Sequence, residues 1–266
     1  MSVLLLVIIL GIVEGITEYL PVSSTGHLIL ATELLGFKAE QWALFNVAIQ
    51  PGAILAILVL YWRTFRDVLI GLWQREASAF AFVRNLLVAF TPAVVIGLIL
   101  ADRIESLLGD AVVVAWALII GGFAILAVEK FAKPEHCEGV SSLSFGQSLK
   151  IGLVQCLAMV PGVSRSGATI LGAMSFGVDR RTAAEFSFFL AVPTLAGATA
   201  LQLFKHRDQI QSDQLVYIGI GSVISFVVAI VVVKAFMAVV TRYGFGPFAW
   251  YRIVAGAAAL VWLGMR

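Results

Sequence analysis

Two carboxylates lie four residues apart in the first tip, the polar segment EGITEYLPVSSTGH at residues 14–27. Glu14 and Glu18 share one face if this segment is helical, and like charges on one face repel unless a cation joins them. Both follow an apolar run, so they would lie near the carboxyl end of a helix, where the dipole is negative. Hard oxygen ligands, with Thr17 nearby, favour Mg²⁺ or Ca²⁺. The sequence therefore predicts a divalent-metal site at Glu14 and Glu18, with a proton-coupling or buried protonated carboxyl pair as the alternative.

Hydroxyl groups and a histidine follow these carboxylates, after Pro21. Ser24 offers a hydroxyl, and His27 lies three residues further on, on the same face of a helical turn, which favours a role in proton transfer. A helix that begins here also presents free N–H groups to an anion. The further substrate-binding candidates of this tip are Ser23, Thr25 and Gly26. Two alternatives stay open: a hydroxyl residue as an ordinary N-cap, and the histidine in a structural role.

A second polar segment, PGVSRSGAT at residues 161–169, forms the second tip and repeats the pattern of proline, glycine and hydroxyls. It adds Arg165, whose planar guanidinium suits phosphate. An arginine in so apolar a chain needs an anionic partner, so an ion pair with Glu14 or Glu18 is the alternative. The substrate-binding candidates here are Ser164, Arg165, Ser166, Gly167 and Thr169. A metal pair, a hydroxyl with a neighbouring base, two helix N-termini and an arginine are together the parts needed for phosphoryl transfer.

The elements that must position the two tips are those of an integral membrane protein. Apolar residues make up 61% of the 266 and charged residues 13%, whereas a soluble domain has about half and about a quarter. The apolar runs are too long and uniform for barrel strands, so the predicted fold class is all-α. The net charge of +2 and the lack of a basic cluster argue against nucleic-acid binding. Cys137 and Cys156 have no metal-ligand spacing and need not pair.

Six apolar segments approach the length of about 20 residues that crosses a bilayer as a helix. The predicted transmembrane helices are 43–62, 84–100, 111–128, 185–204, 215–240 and 248–265. Two further pairs of short apolar runs flank the tips, and neither run of a pair is long enough to span. Each pair predicts a re-entrant helical hairpin that turns at its tip, over residues 3–35 and 151–178.

The two hairpins align with each other at an offset of 141 residues. The matches include Ser23 with Ser164, Gly26 with Gly167, Ile29 with Ile170, and Phe45 with Phe186. We therefore predict one membrane domain made of two repeats, residues 1–130 and 149–266, each a hairpin plus three transmembrane helices. Because three is an odd number, the second repeat must be inverted relative to the first, as in many transporters.

The distribution of basic residues predicts the orientation. One side of the predicted membrane carries ten basic residues: Arg63, Arg66, Arg75, Arg84, Lys130, Lys133, Lys150, Arg180, Arg181 and Arg242. The other side carries five: Lys38, Arg103, Lys205, Arg207 and Arg266. The richer side is expected to be cytoplasmic. The first hairpin then opens outward, the second opens inward, and both ends of the chain lie outside.

The two tips give the chain a family likeness. EGITEYLPVSSTGH together with PGVSRSGATI resembles the bacterial undecaprenyl-diphosphate phosphatases, the bacitracin-resistance family. The likeness covers essentially the whole chain, including IQPGAILA at 49–56 and AAEFSFFLAVP at 183–193. It implies an enzyme of the bacterial inner membrane that removes the terminal phosphate of the C55 isoprenoid diphosphate and returns the monophosphate to cell-wall precursor synthesis. The expected partners are the polyprenyl diphosphate substrate and membrane lipids, with a homodimer as an open alternative.

The resemblance also implies roles for individual residues. The acidic pair of the family falls on Glu14 and Glu18, its serine on Ser24, its histidine on His27 and its arginine on Arg165. We expect Ser24 as nucleophile, His27 as its base, the carboxylates as Mg²⁺ (or Ca²⁺) ligands, and Arg165 as the clamp on the diphosphate. Direct attack by water and His27 as nucleophile stay open. The alternative from another class is a flippase or transporter of the polyprenyl phosphate carrier, because carriers use inverted repeats. Transport as a second role of the enzyme also stays open.

Overall fold

A computed structural model of the chain describes residues 2–100, 110–133, 139–207 and 212–265. These residues form α-helices and connecting turns, with no β-strand among them. The helices are α1 (Val3–Thr17), α2 (Ser24–Leu34), α3 (Ala39–Ala48), α4 (Gln50–Leu60), α5 (Trp62–Trp73), α6 (Ala77–Ile99), α7 (Ala111–Phe131), α8 (Phe145–Gln155), α9 (Arg165–Ser175), α10 (Arg180–Lys205), α11 (Ser212–Tyr243) and α12 (Gly246–Gly264). Short 3₁₀ turns occupy Val140–Ser142 and Cys156–Met159. Arg103, Cys137 and Arg266, which entered the sequence predictions, lie outside the described residues.

Six stretches of helix in the described residues are long and apolar enough to cross a membrane, as the sequence predicts. They are Gln41–Leu60, Ala77–Ile99, Ala111–Phe131, Arg180–Lys205, Gln214–Tyr243 and Gly246–Gly264. The predicted fold class, an all-α membrane protein with six such helices, is confirmed.

Two of these helices differ from the predicted boundaries for identifiable reasons. The second of the six helices begins at Ala77, well before the predicted start at Arg84. It does so because the charge of Arg84 has hydrogen-bond partners within the protein. Its guanidinium donates to Asn85 Oδ1 at 2.9 Å and to Leu143 O at 3.3 Å, so the helix continues through it. The first is divided at Ile49 into α3 and α4. Pro51 lies in the first turn of α4, where a missing N–H breaks no helical bond.

The predicted connection 63–84 contains an additional amphipathic helix, α5, together with the first turns of α6. Trp62 and Trp73, at the two ends of α5, are 50% and 89% exposed. The guanidinium of Arg66 lies 4.9 Å from the centre of the Trp62 ring. Exposed tryptophans beside arginines are typical of a helix that lies in the membrane interface.

The predicted orientation can be tested at this helix. If the basic side is cytoplasmic, Gln74→Cys should resist a membrane-impermeant thiol reagent added to intact spheroplasts, while Lys38→Cys should react. Both side chains are exposed, so protein packing does not decide the result. The background lacks the two native cysteines, through Cys137→Ser and Cys156→Ser. Labelling at residue 74 with protection at residue 38 would invert the orientation.

The two tips have the same backbone conformation at matched positions. Ser23 and Ser164 have φ of 73° and 77°, a region that residues other than glycine rarely adopt. The side chain of Ser23 accepts from the N–H of Gly26, and that of Ser164 accepts from the N–H of Gly167. Both serines are therefore N-caps, of α2 and α9, as the capping alternative proposed.

The helices of the two predicted repeats exchange partners. Helix α1 packs against α11 of the second half, α8 packs against α6 of the first half, and α7 pairs with α12. The approach of α1 to α11 is close, because a Cβ at Gly15 would lie 2.7 Å from Ser225 O. This reciprocal pairing is compatible with two related halves, in whichever relative orientation they lie. The inverted orientation and the re-entrant course of the hairpins stay predictions.

Candidate active site

Glu18 is the centre of the polar cluster at the first tip. It caps the carboxyl end of α1 and is only 5% exposed. Its Oε2 accepts a hydrogen bond from Ser24 Oγ at 2.5 Å, and its Oε1 accepts one from Arg165 Nη2 at 2.9 Å. A hydroxyl that donates to a buried carboxylate has a proton acceptor in place, which is what a serine nucleophile requires.

Arg165 joins the two tips across 147 residues of sequence. It is the first residue of α9, and its ion pair with Glu18 is nearly buried, with side-chain exposures of 10% and 4%. Nη1 donates to Ser187 O at 2.9 Å, whereas the buried Nε has no partner among the described residues. The ion-pair alternative is therefore present in the structure. The Nε–H group is still available for an additional acceptor.

Tyr19 fixes the first tip beside this pair. Its hydroxyl donates to Ala53 O at 2.8 Å, and its ring meets Phe188 edge-on with ring centres 5.4 Å apart. The Arg165 guanidinium lies 5.9 Å from the Tyr19 ring centre, within the range of a cation–π contact. The first tip is thus anchored to α4 and α10.

Glu14 lies one helical turn below Glu18 and is completely buried. Neither of its carboxylate oxygens has a hydrogen-bond partner among the described residues. An oxygen pair in this position needs a cation or a proton. No group of three or more His, Cys, Asp or Glu that could hold a metal occurs in the described part of the chain. The two carboxylates offer the hard oxygen donors that suit a divalent cation, although of the two only Glu18 lines the cavity beside the tips.

The hydrogen bonds of His27 in the described part of the chain go to groups other than Ser24 Oγ, and its role as base stays a prediction. Its Nδ1 donates to Ser23 O at 2.8 Å, which leaves Nε2 to meet Tyr251 Oη at 2.7 Å. The rings of His27 and Tyr251 also stack, at 5.6 Å between centres. In this arrangement the acceptor for the Ser24 hydroxyl is Glu18. The structural alternative for the histidine describes its contacts better.

The hydroxyls of the second tip mostly serve the framework. Ser166 Oγ donates to Leu20 O at 2.7 Å, which ties the second tip to the first. Thr169 Oγ1 lies 2.9 Å from the carbonyl oxygen of Arg165, to which it can donate, and 2.7 Å from Ser187 Oγ, whose hydroxyl can donate to it. Neither Ser166 nor Thr169 lines the cavity described next, and neither do Gly26 and Gly167.

A cavity of about 580 Å³ opens from the polar cluster. Its polar end is formed by Glu18, Ser23, Ser24, Thr25, Ser164 and Arg165. Its walls are mostly apolar and come from α6 and α10, with Phe90, Val94, Leu98, Leu195 and Leu201 among them. Lys205 and Gln202 line it at the far end of α10. The arrangement suits an amphiphile with an anionic head and an apolar tail.

Comparison with known proteins agrees with this geometry. A family model described as bacitracin resistance protein BacA matches residues 7–258. The chain belongs to this family. A relative from Novosphingobium aromaticivorans is 58% identical with complete coverage of both chains, and one from Sphingopyxis alaskensis is 54% identical over 98% of both. A relative from Pseudomonas syringae pv. syringae is 46% identical over 95% of this chain and 91% of its own. All three are named undecaprenyl-diphosphatase.

Several residues around the candidate active site were not predicted from the sequence. The cavity walls on α6 and α10 read only as apolar helix, because no pattern in an all-apolar segment marks the face that lines a cavity. Gln155 is buried and lines the cavity, and it matches Glu14 at the same offset of 141 residues. That match was available in the alignment of the two hairpins. Arg252 is visible in the sequence for a different reason, because it is a basic residue inside an apolar helix.

Proposed function

We propose that this protein dephosphorylates undecaprenyl diphosphate to undecaprenyl phosphate, the lipid carrier that is reused in cell-wall synthesis. The observation that carries the proposal is the hydrogen-bonded series Ser24–Glu18–Arg165 at the polar end of an apolar cavity. The names of the relatives support the same substrate. We place the enzyme in the bacterial inner membrane, with the site opening outward as the charge distribution predicts.

The lining of the cavity suggests where each part of the substrate binds. The diphosphate lies at the polar end, where the Arg165 Nε and the amino-terminal N–H groups of α2 and α9 are donors for its oxygens. The first isoprene units lie between α6 and α10, against side chains such as Phe90 and Leu201. The remaining tail extends into lipid.

Ser24 and Glu18 carry out the chemistry. Ser24 Oγ attacks the terminal phosphorus as its proton passes to Glu18 Oε2, and the bond from phosphorus to the bridging oxygen breaks. The electron pair of that bond leaves on undecaprenyl phosphate. Glu18 gives this proton to the bridging oxygen of the departing undecaprenyl phosphate and is a carboxylate again. Water then attacks the phosphoserine as Glu18 accepts its proton. The bond from phosphorus to Ser24 Oγ breaks, Glu18 returns the proton to Ser24 Oγ, and inorganic phosphate leaves. Arg165 stabilises the charge on the transferred phosphoryl oxygens. Direct attack by water is the competing route, and trapping of a phosphoserine distinguishes the two.

Glu14 and Glu18 would hold the divalent cation, Mg²⁺ or Ca²⁺. When bound, such an ion neutralises charge on the phosphoryl oxygens and polarises them. The unpartnered oxygens of Glu14 support this proposal, and a proton on the buried carboxyl pair is the alternative that accounts for them equally well. Glu18 contributes less to its binding, because both of its oxygens already have protein partners.

The enzyme is favoured over a pure carrier of the lipid phosphate. A carrier needs a site that binds anions, which Arg165 and the helix N-termini alone would provide. The short hydrogen bond from Ser24 to Glu18 adds a nucleophile and its proton acceptor, which binding does not require. The exchanged pairing of α1 with α11 and α8 with α6 is compatible with movement of the lipid as a second role.

The proposal is tested by phosphate release from farnesyl diphosphate in detergent. The purified wild type should release phosphate and Ser24→Ala should not, since the nucleophile is lost while Arg165 remains to bind substrate. Retained binding of the substrate by Ser24→Ala, measured by its protection from unfolding, separates lost chemistry from lost structure. No release by the wild type from this substrate or from the C55 diphosphate would contradict the proposed function.

The metal is tested in the same assay. Excess EDTA should abolish release and added Mg²⁺ should restore it. Glu14→Gln should need a higher Mg²⁺ concentration for half-maximal rate, because it removes the negative charge and replaces one of the two unpartnered oxygens by an amide nitrogen. The matched control is Glu33→Gln, which changes a partly exposed carboxylate on α2 in the same way. Undiminished release in EDTA would remove the metal from the mechanism.

A further inference from the structure

Arg252 lies in the middle of α12 and is 1% exposed. All of its hydrogen bonds go to backbone carbonyls. Nη1 donates to Pro21 O at 2.9 Å and Val163 O at 3.0 Å, and Nη2 donates to Gly162 O and Ala117 O, both at 2.9 Å. Nε donates to Leu118 O at 3.2 Å. One guanidinium thus contacts the first tip, the second tip and α7.

This guanidinium has no capacity left for substrate. Its five N–H donors each have an acceptor, and no carboxylate pairs with it in the described part of the chain. A buried cation is costly unless dipoles replace water, and five carbonyls do so here. The carbonyls of Pro21, Gly162 and Val163 lie in turns between helices, so they have no helical N–H partner of their own. The contacts are mutual: the arginine is solvated by the tips, and the tips are joined by the arginine.

The bonded carbonyls lie next to the two unusual serines. Pro21 precedes Ser23 by two residues, and Gly162 precedes Ser164 by two residues. Both serines have φ in the left-handed region, a conformation that persists only where the surroundings enforce it. The tip carbonyls that Arg252 binds are therefore the ones that set the entry of α2 and α9, and with it the directions of Ser24 and Arg165.

We propose that Arg252 is a positioning residue that holds the two tips at a fixed separation, so that Arg165 reaches Glu18. It acts through the backbone of the tips and does not touch substrate. Its effect on turnover rests on the proposed phosphatase function, whereas its effect on tip geometry does not. Gly121 on α7 makes room for it, because a Cβ there would overlap the guanidinium.

The kinetic test compares Arg252→Lys and Arg252→Met with the wild type. Both should lower kcat by about 10²-fold, the scale of a misplacement of about 1 Å between reacting groups. KM should stay within about threefold, because no substrate contact is removed. Gly121→Ala should lower kcat in the same way by pushing on the guanidinium. Gly219→Ala, at another helix-interior glycine with open space around it, should have wild-type kinetics.

A distance measurement tests the geometry without activity. Spin labels at Ile16 and Leu157, exposed positions near the two tips, report tip separation in a background with Cys137→Ser and Cys156→Ser. The distance distribution should be narrow in the wild type and broad or displaced in Arg252→Met and Gly121→Ala. If Arg252→Met does not fold, Gly121→Ala alone decides. A wild type without phosphatase activity would contradict the proposed function. The measured distances would still test whether Arg252 fixes the separation of the tips.

Two results would overturn the inference. One is an unchanged narrow distance together with wild-type kcat in a folded Arg252→Met or Gly121→Ala protein. The other is a raised KM with unchanged kcat, because that pattern would mean that Arg252 binds the substrate directly.

Discussion

Glu18→Gln should lower the turnover of a polyprenyl diphosphate by about 10³-fold, within the range of a lost general base. The amide cannot take the proton of Ser24, whose hydroxyl donates to Glu18 Oε2 at 2.5 Å. It also removes the charge that holds Arg165 in place. The measurement is kcat for phosphate release from farnesyl diphosphate at saturating substrate and Mg²⁺.

His27→Gln is the comparison that assigns the base. Since both His27 nitrogens are bound to Ser23 O and Tyr251 Oη, this substitution should cost much less than Glu18→Gln. Tyr251→Phe removes the same interaction from the other side and should resemble His27→Gln. A loss in His27→Gln equal to that in Glu18→Gln, with little loss in Tyr251→Phe, would return the role of base to the histidine.

The elements of the fold could be predicted because their signals are local. An apolar run long enough to cross a bilayer, or one cut short by Pro, Gly and Ser, is visible in the sequence without knowledge of its neighbours. The six long helices and the breaks at both tips follow from that rule. The charge of Arg84 displaced a boundary, since its effect depends on a partner elsewhere in the chain, the carbonyl of Leu143.

The residues of the site could be predicted, but their pairings could only be given as alternatives. Glu18, Ser24 and Arg165 stand out because polar groups in an apolar chain are costly and need a reason. Helical spacing placed His27 on the same face as Ser24, yet the imidazole turns back to the carbonyl of Ser23, four residues earlier. Which of two nearby acceptors receives a hydroxyl proton depends on side-chain rotamers, and these are set by packing after the chain has folded.

Arg252 shows a different limit. It is one basic residue in an apolar helix, and the sequence gives no sign that five carbonyls from three elements surround it. Carbonyl acceptors are invisible in a sequence because every residue has one. Their availability depends on which carbonyls the turns leave without a helical partner.

Arg165→Lys should lower kcat by about 10²-fold, although the charge is kept. Lysine presents a point charge and cannot bind Glu18, Ser187 O and a phosphate oxygen with one planar group. Arg165→Ala should cost about 10³-fold, because the charge on the transferred phosphoryl oxygens then has no cation from the protein. Phosphate release from farnesyl diphosphate measures both.

Arg180→Lys is the matched control for this substitution. Arg180 likewise pairs with a glutamate, through two hydrogen bonds of 2.9 and 3.1 Å to Glu129, but its side chain is 45% exposed and it does not line the cavity. An exposed pair contributes about 0–1 kcal/mol, so this variant should keep wild-type turnover. Equal losses of turnover in Arg165→Lys and Arg180→Lys would mean that replacing the guanidinium lowers turnover by destabilising the protein.

The double variant Glu18→Gln with Arg165→Lys decides whether the two tips form one site. If Arg165 acts through its pair with Glu18 and the same phosphate, the double variant should lose little more than the worse single variant. Losses that multiply would show that the two residues act independently. Together with near-normal turnover in Arg165→Lys, that result would leave an enzyme built from the first tip alone, and the ion pair that joins the tips would then serve only the resting protein.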